Sequence, residues 1–257
     1  MVYYKNLLVI SDNLPIVQAF DAILESKGLK KSVQVRYVHS PASRLGLLQP
    51  LTKSATASDD VINLKDPVEV DKIVQQHDLV FSVHCKQLFP DKLFRELKCL
   101  NVHPGYNPLN RGWFPQVFAI IHHYDLGATI HEINGELDNG PIIAREKVPL
   151  YDWDTSLTAY NRVVEKEIEL LNKNIVSIIH NQYTTISSDS LSDEEQHLFT
   201  KKDFNKLLTL DLNETGSFGD FLNRLRALTH GDYKNAYFLT QEGKKVFVSV
   251  NLEVSES

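Results

Sequence analysis

Basic residues are too few in this chain to suggest a polyanion as its partner. The 257 residues contain 27 lysines and arginines against 33 aspartates and glutamates, which gives a formal net charge of -6. A protein that binds nucleic acid through its phosphates usually presents a basic surface. The charge balance therefore argues against tRNA or any other nucleic acid as a partner.

Cysteine is equally scarce, because Cys85 and Cys99 are the only two in the sequence and both have apolar neighbours. Two such thiols are better explained as buried side chains than as a disulfide, and a lone pair offers no metal framework. His, Cys and Asp residues do not cluster at the spacing of metal ligands. We therefore expect no metal centre.

Long apolar runs are also missing. No run approaches the ~20 residues of a membrane-spanning helix, and Met1 to Ile10 lacks the apolar core of a signal peptide. We therefore expect a cytoplasmic protein without a membrane partner. Asn6–Ile10 reads as a buried first strand, but no Gly-x-Gly-x-x-Gly motif follows it, which argues against dinucleotide binding.

Short apolar runs alternate with helical patterns in the first half of the chain, around a Ser- and Thr-rich stretch at 41–59 that reads as a loop or short helix. This alternation predicts an α/β, Rossmann-like, mostly parallel sheet with helices on both faces. The predicted strands are Asn6–Ile10, Val33–Val38, 60–64 and Asp78–Val83, and the predicted helices are Pro15–Lys27 and Val68–Gln76.

The second half ends in a different kind of unit. A long helix is predicted from Thr155 to Ile179, and the Ser- and Thr-rich segment after it reads as a linker. Tyr237–Leu239 and Val246–Val250, separated by Gln-Glu-Gly-Lys, read as a β-hairpin. We place a main domain at 1–183, a linker at 184–193 and a small C-terminal α+β appendage at 194–257.

An amide and an imidazole stand two residues apart at the end of a further predicted strand. Asn101 and His103 follow the apolar run Cys99-Leu100, and Pro104-Gly105 then turns the chain. Side chains alternate along a strand with a period of two, so these two share one face. Open α/β sheets bind ligands at the carboxyl ends of their strands, and we expect a site here.

A carboxylate that could serve the imidazole lies downstream at Asp138. An imidazole moves protons near neutral pH, an amide can donate to an oxyanion, and a carboxylate can orient and charge-stabilise the imidazole. The stretch from Asn101 to Phe118 contains no Ser or Cys nucleophile. Direct group transfer therefore fits better than a covalent intermediate.

Each of these residues has an ordinary structural explanation when it is considered alone. His103 could be a core histidine, Asn101 a turn former, and Asp138 the first residue of an Asp-Asn-Gly turn. Their combination favours catalysis. His131 lies on the strand predicted before Asp138, and a structural hydrogen bond is sufficient to explain it.

Three motifs together resemble the formyltransferases that use N10-formyltetrahydrofolate. They are Asn101-x-His103-Pro104-Gly105, Gly127-Ala-Thr-Ile-His131 and Leu137-Asp138-x-Gly140-Pro-Ile-Ile. The longer string from Asn101 to Phe118 resembles the branch that acts on dTDP-linked amino-dideoxy sugars. The resemblance implies a formyltransferase domain in which Asn101, His103 and Asp138 are catalytic.

The resemblance also implies which residues bind the two substrates, with no metal. The pterin ring of the folate is held by the backbone of the loop after the fourth strand, while the His84 side chain could equally be solvated. Lys86 and Arg111 could meet the folate tail or the diphosphate, and the choice stays open. The cofactor-binding set is His84, Lys86, Gln87, Leu88, Leu137, Asn139 and Gly140; the substrate-binding set is Tyr106, Asn107, Arg111, Trp113, Arg224, Tyr233 and Asn235.

The last three of these residues belong, with Arg226 and His230, to a polar and aromatic cluster in the tail that could hold a nucleotide diphosphate and stack on its base. A homodimer through the tail is implied as well. The expected acceptor is dTDP-4-amino-4,6-dideoxyglucose, for O-antigen or another surface polysaccharide. The alternatives are a dTDP-3-amino-3,6-dideoxyhexose, a formyltetrahydrofolate hydrolase, and a non-catalytic folate- or nucleotide-binding module.

Overall fold

The computed structural model describes residues 3–41, 43, 61–191 and 195–255. Most of the predicted loop or short helix at 41–59, and positions 192 and 193 of the predicted linker, lie outside the described residues. The elements are β1 Asn6–Ser11, α1 Leu14–Ser26, β2 Gln34–Val38, α2 Pro67–Gln76, β3 Leu79–Val83, α3 Asp91–Glu96, β4 Lys98–His103, β5 Arg111–Gly112, α4 Pro115–His122, β6 Leu126–Glu132, β7 Ile142–Val148, α5 Ser156–Ile179, β8 Leu198–Phe199, α6 Lys201–Leu207, α7 Phe218–Leu228, β9 Tyr237–Leu239 and β10 Lys245–Phe247.

A six-stranded sheet forms the centre of the molecule, in the order β2-β1-β3-β4-β6-β7. The first four of these strands are parallel, whereas β6 runs antiparallel to β4 and β7 antiparallel to β6. The predicted α/β fold with a mostly parallel sheet is therefore confirmed. The carboxyl ends of β1, β3 and β4 meet at one edge, where the sequence placed the site.

Both faces of the sheet are covered by helices, because the strands are apolar on both sides. Leu7 and Val9 of β1 point into a core shared with α1, α4 and α5, while Leu8 and Ile10 point into a second core shared with α2 and α3. All four side chains are fully buried. Period-two alternation in a continuous apolar run therefore builds the two layers.

Helix boundaries follow local capping chemistry. The Asn13 side chain accepts a hydrogen bond from the Ile16 amide at the start of α1, and the chain leaves this helix through Gly28 at φ 68°. Thr155 and Thr158 form a reciprocal capping box at the start of α5. Such caps satisfy amides that the first turn of a helix leaves without partners.

Two strand predictions need correction. The strand predicted at 60–64 is absent from its described part, 61–64, where Val61 makes one isolated bridge to His39 before Asp66 caps α2. The hairpin is present, but β10 covers only Lys245–Phe247. It ends where its partner β9 begins, at the pair Phe247 and Tyr237, and further along the Val250 amide donates to Thr229 Oγ1.

The tail is anchored on the main body of the molecule. Its buried residues Phe204, Ala227, Leu228 and Ala236 belong to the same core as α1 and α5. Strand β8 pairs with β5, and α7 packs on α4 and α5. The domain boundary at 184–193 stays a prediction. None of the helices in the described ranges has the length and apolarity needed to cross a membrane.

Candidate active site

Asn101, His103 and Asp138 lie side by side at the edge of the sheet. The first two share a face at the carboxyl end of β4, and the loop between β6 and β7 brings Asp138 to them. Asn101 Nδ2 donates to Asp138 Oδ1 at 3.0 Å, and His103 Nδ1 lies 3.6 Å from Asp138 Oδ2. The structure thus brings together the three residues that the sequence singled out.

The tautomer of His103 is fixed by a carbonyl rather than by Asp138. His103 Nε2 lies 2.8 Å from the Asn110 carbonyl oxygen, which can only accept, so Nε2 carries the hydrogen. In the neutral ring the lone pair is then on Nδ1, which faces the carboxylate. Asp138 therefore does not set the tautomer but faces the nitrogen that takes up a proton, where it would stabilise the resulting charge.

His131 completes the polar cluster. Its Nδ1 donates to the Glu132 carbonyl oxygen at 2.8 Å, and its Nε2 lies 3.2 Å from Asn101 Nδ2 and 3.6 Å from Asp138 Oδ1. In the neutral ring Nε2 is an acceptor, so both amide hydrogens of Asn101 have partners, one on Asp138 and one on His131. An oxyanion can bind Asn101 only in exchange for one of these two bonds.

The backbone around Asp138 is held from the neighbouring loop. Asp138 adopts φ 48°, in the left-handed region that Asp tolerates better than most residues. Asn107 Nδ2 donates to the Asp138 carbonyl oxygen at 2.9 Å and the Gly112 amide donates to Oδ2 at 3.0 Å. The Arg111 guanidinium donates to the carbonyl oxygen of Leu137, next in the chain. The carboxylate is therefore rigidly placed.

The same surroundings keep the carboxylate ionised. Burial by itself would raise the pKa of the Asp138 carboxyl, but the positive charge of the His103 and His131 imidazoles in their protonated forms, together with the Gly112 amide, holds that pKa well below its ordinary value. The site therefore combines a permanent negative charge with an imidazole nitrogen that faces it.

Two motif glycines are required by close packing. A Cβ on Gly105 would overlap the Asn110 carbonyl and the His103 ring, and a Cβ on Gly140 would overlap the Glu132 carbonyl. Glycine at these two motif positions therefore allows the loops to pack closely against β4 and β6. The predicted cofactor role of Gly140 stays a prediction.

The predicted cofactor loop, 84–88, is fastened on its inner side. The Lys86 amide donates to Asp12 Oδ2, and the Gln87 side chain donates to Ser40 Oγ and to the Ile62 carbonyl. The side chain of Leu88, by contrast, is 78% exposed. The Gln87 side chain is thus structural, while the outer side of the loop stays accessible.

Leu137 and Asn139, the neighbours of Asp138 in its loop, have different surroundings. Leu137 is 38% exposed, and Asn139 Nδ2 donates to Glu136 Oε2 at 2.7 Å. Their predicted folate contacts stay predictions.

The residues predicted to bind the sugar nucleotide near β4 have mixed environments. Asn107 is 2% exposed and, like Arg111, uses its side chain to hold the Asp138 loop. The Arg145 guanidinium lies 4.5 Å from the centroid of the Tyr106 ring. Trp113 is 37% exposed, which leaves its ring accessible to a ligand.

The tail cluster is only partly available for a ligand. The Arg224 guanidinium donates to the carbonyls of Leu207 and Thr209 and pairs with Glu214. Asn235 Nδ2 donates to the Leu228 carbonyl at the end of α7. These two side chains therefore stabilise the tail itself.

The other members of the cluster differ in exposure. Arg226 is 2% exposed and donates to the Tyr151 and Asp154 carbonyls. His230 Nδ1 lies 3.0 Å from Ser156 Oγ. Tyr233, in contrast, is 72% exposed, so its ring is the accessible part of the cluster.

Asn110 and Gly112 lie within the stretch from Asn101 to Phe118, but their residue types did not indicate that they contribute a carbonyl and an amide to the site. Their placement depends on the two-residue strands β5 and β8, where the Arg111 amide donates to the His197 carbonyl at 3.0 Å. Backbone groups carry no residue-type signal, and pairs this short have no periodicity. Within the described ranges, no group of three His, Cys, Asp or Glu side chains could hold a metal ion.

Two family models match the chain. The model described as "Formyl transferase" matches residues 17–175, and the model described as "N-formyltransferase dimerization C-terminal domain" matches residues 203–254. The dTDP-4-amino-4,6-dideoxyglucose formyltransferase of Mycobacterium tuberculosis H37Rv is 52% identical over 184 residues, which cover 72% of this chain and 77% of that protein.

Solved structures similar to the whole chain include two N-formyltransferases. A sugar N-formyltransferase from Shewanella sp. FDAARGOS_354 superposes with a TM-score of 0.88 at 37% identity, covering 98% of this chain and 99% of that one. A 4-N formyltransferase from Francisella tularensis gives 0.87 at 37% identity with the same coverage. The similarity therefore extends through the tail.

Proposed function

The chain belongs to the formyl transferase family and is a formyl-transferring enzyme, and on that premise we propose that it formylates the amine of dTDP-4-amino-4,6-dideoxyglucose, with N10-formyltetrahydrofolate as donor. The observation that carries the proposal is the junction of Asn101, His103 and Asp138 at 3.0 and 3.6 Å. Their chemistry fits direct transfer of a carbonyl group to an amine. N10-formyltetrahydrofolate supplies the formyl carbon.

His103 accepts a proton from the sugar amine and later donates it to the leaving group. As the sugar amine bonds to the formyl carbon, its nitrogen becomes positively charged and His103 Nδ1 accepts the proton, directly or through a water. Asp138 Oδ2, 3.6 Å from that nitrogen, stabilises the imidazolium that results. The proton is then delivered to N10 as the bond between N10 and the formyl carbon breaks, so His103 returns to its starting tautomer.

Asn101 stabilises the oxyanion by exchanging a partner. Of its two amide bonds, the one to His131 Nε2 is the longer at 3.2 Å, against 3.0 Å to Asp138. We assign the exchange to the bond with His131, which keeps Asp138 as the anchor of the amide. His131 thus accepts a hydrogen bond from the Asn101 amide before the reaction and loses that bond when the oxyanion forms.

The 4-amino sugar is favoured over the alternatives. The relative at 52% identity carries that substrate in its name, whereas the net charge of -6 disfavours tRNA as an acceptor. A formylated dTDP-sugar is a precursor for glycosyl transfer, so we place the enzyme in the synthesis of a surface polysaccharide. The exposed rings of Trp113 and Tyr233 are the accessible candidates for contact with the nucleotide.

The tail is proposed to form a homodimer. A two-stranded hairpin such as β9–β10 is only marginally stable without a covering partner, and on one face it leaves Leu239 53% and Phe247 44% exposed. These residues lie within the segment 203–254 that matches the dimerization model. A second copy of the chain would bury them.

The test is a transfer assay with purified protein, N10-formyltetrahydrofolate and separate dTDP-4-amino and dTDP-3-amino sugars. Mass spectrometry should detect one formyl group on dTDP-4-amino-4,6-dideoxyglucose. Formylation of a 3-amino sugar alone would move the assignment to the other amine. Release of formate without any formylated sugar would replace the proposal with the hydrolase.

A further inference from the structure

A carboxylate is buried in the middle of α5, where the predicted folate loop meets the helix. The Glu167 side chain is 0% exposed, and its two oxygens lie 2.9 and 2.8 Å from His84 Nε2. Burial of a carboxylate is costly unless the group is hydrogen-bonded and paired. The contact with His84 is therefore what stabilises Glu167 in this position, and a purely packing role would have been served by Leu.

His84 itself has an uncommon backbone conformation. It directly follows β3 and adopts φ 56°, in the left-handed region that is uncommon for residues other than Gly. A histidine keeps such a conformation when surrounding contacts over-determine it. The buried pair with Glu167 supplies that constraint at the point where the chain leaves the sheet and enters loop 84–88.

The other ring nitrogen of His84 has partners as well. Its Nδ1 lies 3.0 Å from the Tyr160 hydroxyl, which in turn accepts from Asn13 Nδ2 at 3.0 Å. Burial and the charge of Glu167 raise the pKa of Tyr160, so the hydroxyl keeps its proton. One arrangement satisfies every group: Nε2 donates to Glu167, and Nδ1 accepts from Tyr160.

The loop is thus fastened at two points on its inner side. His84 ties it to α5, while the Lys86 amide bonds to Asp12 after β1. The side chain of Leu88 remains exposed on the outer side. Binding loops of this kind owe their precision to a supporting shell that fixes the backbone before the ligand arrives.

We propose that the His84–Glu167 pair is a positioning device that fixes loop 84–88 in its folate-binding conformation. This inference rests on the proposed function and assigns to Glu167, which the sequence did not single out, a role in donor affinity. The His84 side chain points towards α5, so it acts on the folate through the backbone of the loop. Neither residue touches the reacting atoms.

The variant Glu167→Leu removes both acceptor oxygens while it keeps a helix-forming residue of suitable size in a buried position. A hydrogen bond to a charged group contributes about 1.5–3 kcal/mol, which corresponds to roughly 10- to 150-fold in an equilibrium constant. We therefore expect the Kd of folinic acid, a non-reactive probe, to rise about tenfold or more. The KM for N10-formyltetrahydrofolate should rise in parallel, with kcat and the Kd of dTDP unchanged within about twofold.

Two further variants make the comparison specific. Glu167→Gln keeps an acceptor for His84 Nε2 and should recover most of the folinic acid affinity. Glu169→Leu makes the same change two residues away on α5, at a side chain that is 52% exposed and paired with Lys166, and should bind like the wild type. Thermal unfolding of each variant verifies that the fold is intact.

The outcomes separate the two proposals. Weaker folinic acid binding in Glu167→Leu alone, with dTDP binding retained, supports the positioning role. Unchanged folinic acid binding in folded Glu167→Leu overturns it, and so does an equal loss of folinic acid and dTDP, which would indicate a general structural role. If the wild-type protein binds dTDP but no folinic acid, the proposed function itself fails and the positioning role with it.

Discussion

At the scale of single residues, the site is defined by which atom of each side chain is left available. His103 Nε2 donates a hydrogen bond to the Asn110 carbonyl oxygen, and His103 Nδ1 is therefore the atom that faces Asp138. The Asn101 amide is engaged by Asp138 and His131. Before substrate binds, the geometry therefore describes a poised proton acceptor and an oxyanion donor that must first be released.

The charge of Asp138 should be visible in the pH dependence of stability. The pKa of Asp138 is lower in the folded protein than in the unfolded chain, so ionised Asp138 stabilises the fold above the unfolded value of ~3.9, and this contribution disappears as the pH falls from there through the folded value. The variant Asp138→Asn lacks this contribution to stability. The Tm difference between wild type and variant should be fully present at about pH 5 and shrink below pH 4.

The matched control for that experiment is Glu136→Gln, two residues earlier in the same loop. The Glu136 side chain is 68% exposed, and its removal should leave the Tm profile of the wild type nearly unchanged. A Tm difference for Asp138→Asn that persists at full size below about pH 3 would contradict the assignment of a depressed pKa.

At the scale of elements, β4 and the β6–β7 loop could be predicted, and β5 and β8 could not. The Asn-x-His spacing places Asn101 and His103 on one face because the strand period is two, and that information lies within three residues. The tautomer of His103 depends on Asn110, which is held next to a pairing between residues far apart in sequence. The local sequence pattern does not indicate such a contact.

The strand predicted at 60–64 was wrong for a related reason. Ile62 and Leu64 are buried apolar residues, as in a strand, but only Val61 is paired, and Asn63 accepts from the Lys65 amide in a turn that leads to α2. Burial alone produced the apolar pattern. Arg111 and Asn107 were predicted as ligand contacts. Their hydrogen bonds to the Asp138 loop could not be foreseen from the sequence.

The glycine of the Asp-x-Gly motif should be indispensable to the β6–β7 connection. A Cβ at Gly140 would overlap the Glu132 carbonyl, and overpacking of this kind typically costs about 1–3 kcal/mol. Gly140→Ala should therefore lower the free energy of unfolding by that amount and reduce activity by displacing Asp138. Urea unfolding with a transfer assay measures both effects.

Gly135→Ala is the control in the same connection, because a Cβ at Gly135 would meet nothing within 4 Å. This variant should be as stable as the wild type or slightly more stable, since alanine reduces the freedom of the unfolded chain. Equal destabilisation by both substitutions would mean that the close approach of Gly140 to Glu132 does not exist in solution.

At the scale of the whole molecule, the tail serves the site and the proposed dimer at once. Strand β8 holds β5, whose Gly112 amide bonds to Asp138, and Phe199 of β8 stacks on Phe118 of α4 with centroids 3.8 Å apart. The outer face of the hairpin leaves Leu239 exposed. The sequence predicted the hairpin but not the inward contact.

The proposed dimer should depend on that exposed face. Leu239→Arg places a charge where a second copy would bury an apolar side chain, so size-exclusion chromatography with light scattering should show a dimer for the wild type and a monomer for the variant. Val68→Arg, at a residue of α2 that is 60% exposed, should stay dimeric. A variant Leu239→Arg that is as dimeric as the wild type would place the interface elsewhere.

The most direct test of the central claim is the turnover of Asn101→Ala, measured by mass spectrometry as formyl transfer from N10-formyltetrahydrofolate to dTDP-4-amino-4,6-dideoxyglucose. Loss of one oxyanion donor typically reduces turnover on the order of 10²–10³-fold, and we predict a reduction of that size in a protein that remains folded and binds folinic acid like the wild type. Near-normal turnover in folded Asn101→Ala would contradict the account, because formyl transfer would then not use the junction of Asn101, His103 and Asp138.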